Sequence, residues 1–247
     1  MTKRIILTLI MTVLSLVLYA EKYSISLWGG MNSVSMGEIN DMFGEYGTEE
    51  SEEINSGMQS ALEFSLGEDS KLQPTFRISG ISAGKGKFIG AGSFKDEDND
   101  TDVDEDGDAD VIVIGGEYTP MITSIEVGLK FPWIEYGKYK NSIGAFIGYG
   151  MASIPAKEGL LIDSADVSAL VYREETYTGS AITLSIVDYN EIALSSRFSL
   201  GLILGYNIAK VSEVKDSDGN VLMDFDGDKI AIDYSGLCYG LSLKYKF

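Results

Sequence analysis

The sequence predicts an all-β chain closed into an antiparallel, up-and-down transmembrane β-barrel of eight strands, with short periplasmic turns and long outer loops. Three observations carry that expectation. Segments of about ten residues alternate between apolar and small or polar residues, so each has one face fit for lipid. The gaps between these segments alternate between short and long. No stretch after residue 20 is long and apolar enough for a spanning helix, and a bilayer tolerates only helices or closed barrels, because lipid cannot satisfy free backbone groups.

The first twenty residues read as a cleaved signal peptide. Lys3 and Arg4 form a basic start, Ile5 to Leu18 an apolar stretch of fourteen residues, and Ala20 a cleavage point, with Leu18 where a small residue is preferred. Residues 21–247 are then the barrel domain. That part keeps 17 basic against 38 acidic residues, a formal charge of −21. Nucleic acid is excluded as a partner, since phosphate contacts need a basic surface. Cys238 is the one cysteine, so there is no internal disulfide and no thiolate metal cluster, and the chain has no histidine.

The expected strands cover about 22–33, 58–67, 71–83, 120–132, 140–153, 176–189, 192–211 and 229–247. The last is the clearest: Leu237, Tyr239, Leu241, Leu243, Tyr245 and Phe247 alternate with Cys238, Gly240, Ser242, Lys244 and Lys246. Upstream, Phe198, Leu200, Leu202, Leu204, Tyr206 and Ile208 oppose Ser199, Gly201, Gly205 and Asn207. Ile143, Ala145, Ile147, Tyr149 and Met151 oppose Gly144, Gly148 and Gly150. Ile125, Val127, Leu129, Phe131 and Trp133 oppose Glu126, Gly128 and Lys130, and Ile182, Leu184 and Ile186 oppose Thr183 and Ser185. The first three strands carry shorter apolar sets: Tyr23, Ile25, Leu27; Leu62, Phe64, Leu66; and Phe76, Ile78. Phe146 and Ile203 are apolar on the inward face.

Short connections fall at 68–70, 133–139 and 190–191, long ones at 34–57, 84–119, 154–175 and 212–228. This sorting of loops is that of transmembrane barrels. Segment 109–116 either extends a strand above the membrane or begins an extra pair, so eight and ten strands both stay open. Tyr23, Phe131, Trp133, Tyr136, Tyr139, Tyr189, Tyr245 and Phe247 fall near the short-turn end as an interfacial girdle, with Tyr149, Tyr206 and Tyr234 for the opposite one.

In the closing Leu-Ser-Leu-Lys-Tyr-Lys-Phe (241–247) and the paired strands 121–151 the chain resembles the small outer-membrane barrels of the OmpA, OmpX and OmpW type. Leu241, Leu243, Tyr245 and Phe247 are similar to the C-terminal signal that the barrel-assembly machinery recognises in that superfamily. The resemblance implies outer-membrane location and lipid, and assembly by that machinery; it implies no one activity.

An eight-stranded barrel is just wide enough for side chains to fill. The expected inward set is rich in Gly, Ser and Ala, and includes Glu63, Arg77, Glu126, Lys130, Arg197, Lys244 and Lys246. Glu63 and Arg77 fall on adjacent strands within one diagonal step. These groups either pair as a plug or line a narrow polar path, and unpaired charge in a tight interior favours the plug.

The long connections carry the acid. Residues 34–57 hold seven carboxylates and no base. In 96–110, Asp102, Asp104, Asp106, Gly107, Asp108 and Asp110 match the first half of an EF-hand-like calcium loop, with Val113 where the twelfth-position Glu belongs. The run is read either as solvated charge or as a weak calcium site, and Asp224, Asp226, Gly227 and Asp228 echo it. A short helix is expected around Ile39 to Phe43, near the membrane edge. Cys238 is a small inward filler.

Three functions follow. The chain is a non-enzymatic structural or surface barrel, presenting acidic loops to divalent cations or an extracellular partner. Alternatively it is a narrow channel for small solutes or, as the resemblance to OmpW-type barrels implies, a lateral path for apolar ones. The third is a barrel enzyme, which the lack of histidine disfavours.

Overall fold

The computed structural model describes residues 22–40, 52–68, 70–92, 112–161, 171–223 and 227–247. Among them the strands are β1 (Tyr23–Ser33), β2 (Ser56–Leu66), β3 (Gln73–Ala83), β4 (Gly86–Gly92), β5 (Ile112–Tyr118), β6 (Met121–Tyr136), β7 (Tyr139–Leu161), β8 (Val171–Ala193), β9 (Phe198–Ile208), the short β10 (Lys210–Val211), β11 (Val214–Lys215) and β12 (Ile232–Asp233), and β13 (Gly236–Lys246).

Eight of these close a ring. Each of β1, β2, β3, β6, β7, β8, β9 and β13 pairs antiparallel with the next, and β13 returns to β1 from Ser24↔Lys246 to Asn32↔Cys238. Closure removes the free sheet edges that lipid cannot satisfy. The strand count is thus eight. Residues 112–118, left open by the sequence, form β5, which pairs with β4 and with the upper part of β7 from Val113↔Leu161 to Tyr118↔Ala156. That hairpin widens the wall beyond the ring and does not enter it.

Alternation becomes inside and outside. Leu27, Leu62, Ile78, Ile125, Tyr149 and Ile182 are successive cross-strand partners and all face outward and exposed. Trp28, Glu63, Arg77, Glu126, Phe146 and Lys244 face inward and are buried. Phe146 and Ile203 are lumen residues, and the small inward positions make room for large ones: a Cβ on Gly148 would meet the Glu126 side chain at 2.5 Å. Pro132 lacks an N–H, and the β6–β7 register shifts there. Below the shift, Tyr136 and Tyr139 close on a two-residue turn with Gly137 at φ +59°, a conformation glycine adopts without strain.

Several boundaries differ from the sequence reading. β8 runs to Ala193 and β9 starts at Phe198, so the turn lies at 194–197 rather than 190–191. Asp188 and Asn190 look like turn residues. They stay in the strand because Asn141 Nδ2 donates to Asp188 Oδ1 (2.7 Å) and Tyr139 Oη to Asn190 Oδ1 (2.7 Å). Most of 229–235 belongs to the outer mouth, not to the last strand. Two girdle residues are corrected as well. Tyr189 is buried in the lumen and Tyr234 in the mouth, whereas Trp133, Tyr136, Tyr149 and Tyr206 are exposed outward. The first long connection has a helical turn over 37–40, with Ile39 fully buried inside the mouth instead of at the membrane edge; 41–43 lie outside the described residues.

Candidate functional site in the barrel lumen

Strand parity converges four charged side chains at mid-barrel. Glu63 on β2 lies directly opposite Arg77 on β3, which lies opposite Glu126 on β6. Glu63 accepts from Lys130 Nζ, from Tyr189 Oη and from Trp28 Nε1 (3.3 Å), and Arg77 Nη1 stands 3.9 Å from Glu63 Oε1. Arg77 Nε donates to Glu126 and its Nη2 to Ser185; Glu126 also accepts from Ser124 (3.0 Å) and Thr183 (3.1 Å). The two cations have π faces beside them as well. Arg77 lies 4.0 Å from the Phe146 ring centre and Lys130 4.0 Å from that of Tyr189. Two carboxylates and two cations, all buried, leave this layer neutral. Burying charge is tolerable only with partners of this kind.

A second layer closes the short-turn end. Glu68, just past β2, meets Lys244 (3.3 Å), Lys246 (3.3 Å) and Lys140 (3.5 Å), and accepts from Ser24 Oγ at 2.9 Å. Lys244 also pairs with Glu191 at 2.7 Å. Burial alone pushes the Glu68 carboxyl up, but Lys244, Lys140 and Lys246 outweigh it and bring it down to about 2.

The outer half of the lumen is apolar. Val34, Met36, Ile39 and Ile54 from the β1–β2 connection, with Ile230, Ile232 and Tyr234 from the connection before β13, pack on Ile81, Ile122, Ala152 and Ile154 of the wall. Backbone and side-chain bonds hold the two connections to each other, to the wall and in their own shape. Met36 N donates to Asp233 O (3.0 Å), Tyr234 Oη to Met121 O (3.0 Å), and Asn40 exchanges bonds with both the N–H (2.8 Å) and the C=O (2.9 Å) of Ile54.

The molecule therefore shows large apolar side chains outside and paired Glu, Arg and Lys inside. That inverts the arrangement of a water-soluble protein, and hydrocarbon is the solvent that makes it favourable. The chain is a small membrane-spanning β-barrel. Among solved structures the barrel is similar to a major outer membrane protein from Thermus thermophilus, at 13% identity over 92% of this chain and 98% of the other, with a TM-score of 0.48. It is similar to Neisserial surface protein A at 12% identity over 92% and 97%, with a TM-score of 0.46. It is similar also to the outer membrane protease OmpT from Escherichia coli at 9% identity over 93% and 98%, with a TM-score of 0.42. These superpositions are loose, and the barrel's architecture stands on its own strand pairing. Neither a family model nor a curated protein matches the sequence.

Of the expected lumen charges, Glu63, Arg77, Glu126, Lys130 and Lys244 come together inside the barrel. Arg197 does not. It lies in the turn before β9, exposed, with Nη1 3.4 Å from Tyr245 Oη. It stands one residue before β9, where alternation no longer fixes which face a side chain takes. Sequence reasoning missed Glu68, Lys140, Glu191 and Tyr189. The last two share the parity of Val187 and become legible once β8 is carried past residue 189; Glu68 sits in a turn, where parity says nothing. Leu241 and Leu243 face outward, and the Tyr245 ring packs edge-on against both Phe198 and Phe247. The calcium-loop positions Asp102, Asp104, Asp106, Asp108 and Asp110 lie outside the described residues, as do residues 1–20.

Proposed function

We propose that this barrel is a closed, non-enzymatic outer-membrane protein, exported by a signal peptide at residues 1–20 and folded by the barrel-assembly machinery. Its work is done at its surface. It occupies outer-membrane lipid and presents the acidic long connections, including 96–110, to divalent cations or to a partner outside the cell. The observation that supports this reading is the filling of the lumen by two different chemistries in series. A hydrated ion passing through has to displace the Glu63–Lys130–Arg77–Glu126 layer and then cross the apolar mouth around Ile39 and Ile232. A channel reading has to open both.

Planar-bilayer recording tests it. The wild-type barrel is expected to show no steady single-channel conductance, and Glu126→Ala, which frees Arg77 from one anion, to show intermittent openings. Steady conductance in the wild type that Glu126→Ala leaves unchanged defeats the proposal.

A further inference from the structure

The three short connections share a composition that turns usually lack. Lys71 and Leu72 join β2 to β3, Tyr136 borders the β6–β7 turn that holds Lys138, and Leu194 and Arg197 lie between β8 and β9. Turn tips favour Gly, Asn, Asp and Ser. Each connection has such residues, Gly67 and Ser70, Gly137, Ser195 and Ser196, and also holds out a large apolar side chain, with Leu72 55%, Tyr136 84% and Leu194 59% exposed. Beside each of these stands an exposed cation.

Lys140, Lys244 and Lys246, set further in at the short-turn end, pair with carboxylates, but the exposed cations at the two ends of the barrel differ in kind. At the long-loop end, Lys85 pairs with Glu117, Lys157 with Glu174, Lys210 with Glu38, and Lys229 with Glu213. Among the described residues, no such carboxylate partner stands beside Lys71, Lys138 or Arg197. In a chain with a net charge of −19, these three exposed cations stand at one rim next to exposed apolar groups.

We propose that the short-turn rim is a collar that binds anionic phospholipid headgroups. Lys71, Lys138 and Arg197 take the phosphates, and Leu72, Tyr136 and Leu194 rest in the acyl boundary beneath them. The chemistry is that of interfacial anchors. An apolar body enters the bilayer edge while a cation on a flexible stem reaches the headgroup, and a guanidinium can grip two phosphate oxygens at once. The inference rests on the membrane-spanning reading and adds a lipid preference to it.

The chain has two tryptophans, and they make the test direct. Trp133 is 59% exposed at the short-turn end, and Trp28 is 2% exposed inside the lumen, an internal reference. The full chain is reconstituted in phosphatidylcholine–phosphatidylglycerol vesicles in which one or the other lipid is brominated near the headgroup, and quenching is read as a relative binding constant. Phosphatidylglycerol is expected to be preferred by about three-fold or more. The preference should vanish at high salt, and in the triple variant Lys71→Gln, Lys138→Gln, Arg197→Gln. Equal quenching by the two lipids in the wild type overturns the collar, and so does a preference that survives both salt and the triple variant. No quenching of Trp133 by either lipid defeats the spanning reading instead. The salt titration keeps the test open should the variant fold poorly.

Discussion

Glu63 shows what a single buried carboxylate does here. Its oxygens take Lys130, Tyr189 and Trp28, and Arg77 faces it from the next strand. Glu63→Ala leaves Lys130 and Arg77 short of an anion in a water-poor interior. Removing one member of a buried pair costs about 3–5 kcal/mol, and replacing both members by apolar groups far less. The expected outcome is a marked fall in the urea midpoint for Glu63→Ala, substantially restored in Glu63→Leu with Lys130→Met, followed by the fluorescence of Trp28. A double variant no more stable than the single one would show that this pair does not carry the layer. At this scale the sequence was legible wherever a residue sits inside a strand. Parity alone placed Glu63, Arg77, Glu126, Lys130 and Lys244, and it failed at Arg197, one residue before β9, and at Glu68, two residues past β2.

The most constrained element is the seam where β1 meets β13. Gly30 and Gly240 are direct partners, and a Cβ on Gly30 would stand 1.9 Å from the Tyr239 carbonyl oxygen. Backbone cannot yield as a side-chain tip can, so Gly30→Ala must spread the two strands that close the ring. A loss of about 1–3 kcal/mol is expected, the usual cost of overpacking. Gly29→Ala is the control. Its Cβ would meet only the Gln59 carbonyl oxygen, at 3.8 Å, and should stay within about 0.5 kcal/mol of wild type. Unboiled gel mobility after a urea series reads both, and equal behaviour of the two variants would discount the seam. Elements such as β9 and β13 were readable because one face alternates without a break. The mouth was not. Val34, Met36, Ile39 and Ile54 follow neither a two-residue nor a helical period, and they lie among carboxylates that read as solvated loop. Their burial is decided by the wall they meet, which no local pattern reports.

For the whole molecule, acid is the sharpest probe. The Glu68 carboxyl lies at about 2 in the folded barrel against an ordinary value of 4.5. Between those values the unfolded chain binds more protons. The contribution is therefore complete above pH 4.5 and is lost as pH falls towards 2, up to roughly 3 kcal/mol. Comparing unfolding midpoints at pH 7 and pH 3, the wild type should lose more stability than Glu68→Gln, which has no proton to take up at that site. Equal losses would show that Glu68 is not held by its three lysines. The stacking of a mixed-charge base, a neutral mid-layer and an apolar mouth was only half visible beforehand, because it depends on how distant connections fold back. β7 and β8 stay paired for seven residues beyond Ser153, to Leu160↔Val171, which at about 3.3 Å per residue is roughly 23 Å of ribbon. β5 and β4 run beside it from Ala156 to Leu161, so this edge is a four-stranded blade, and a load on its upper end is shared by four strands before it reaches the ring.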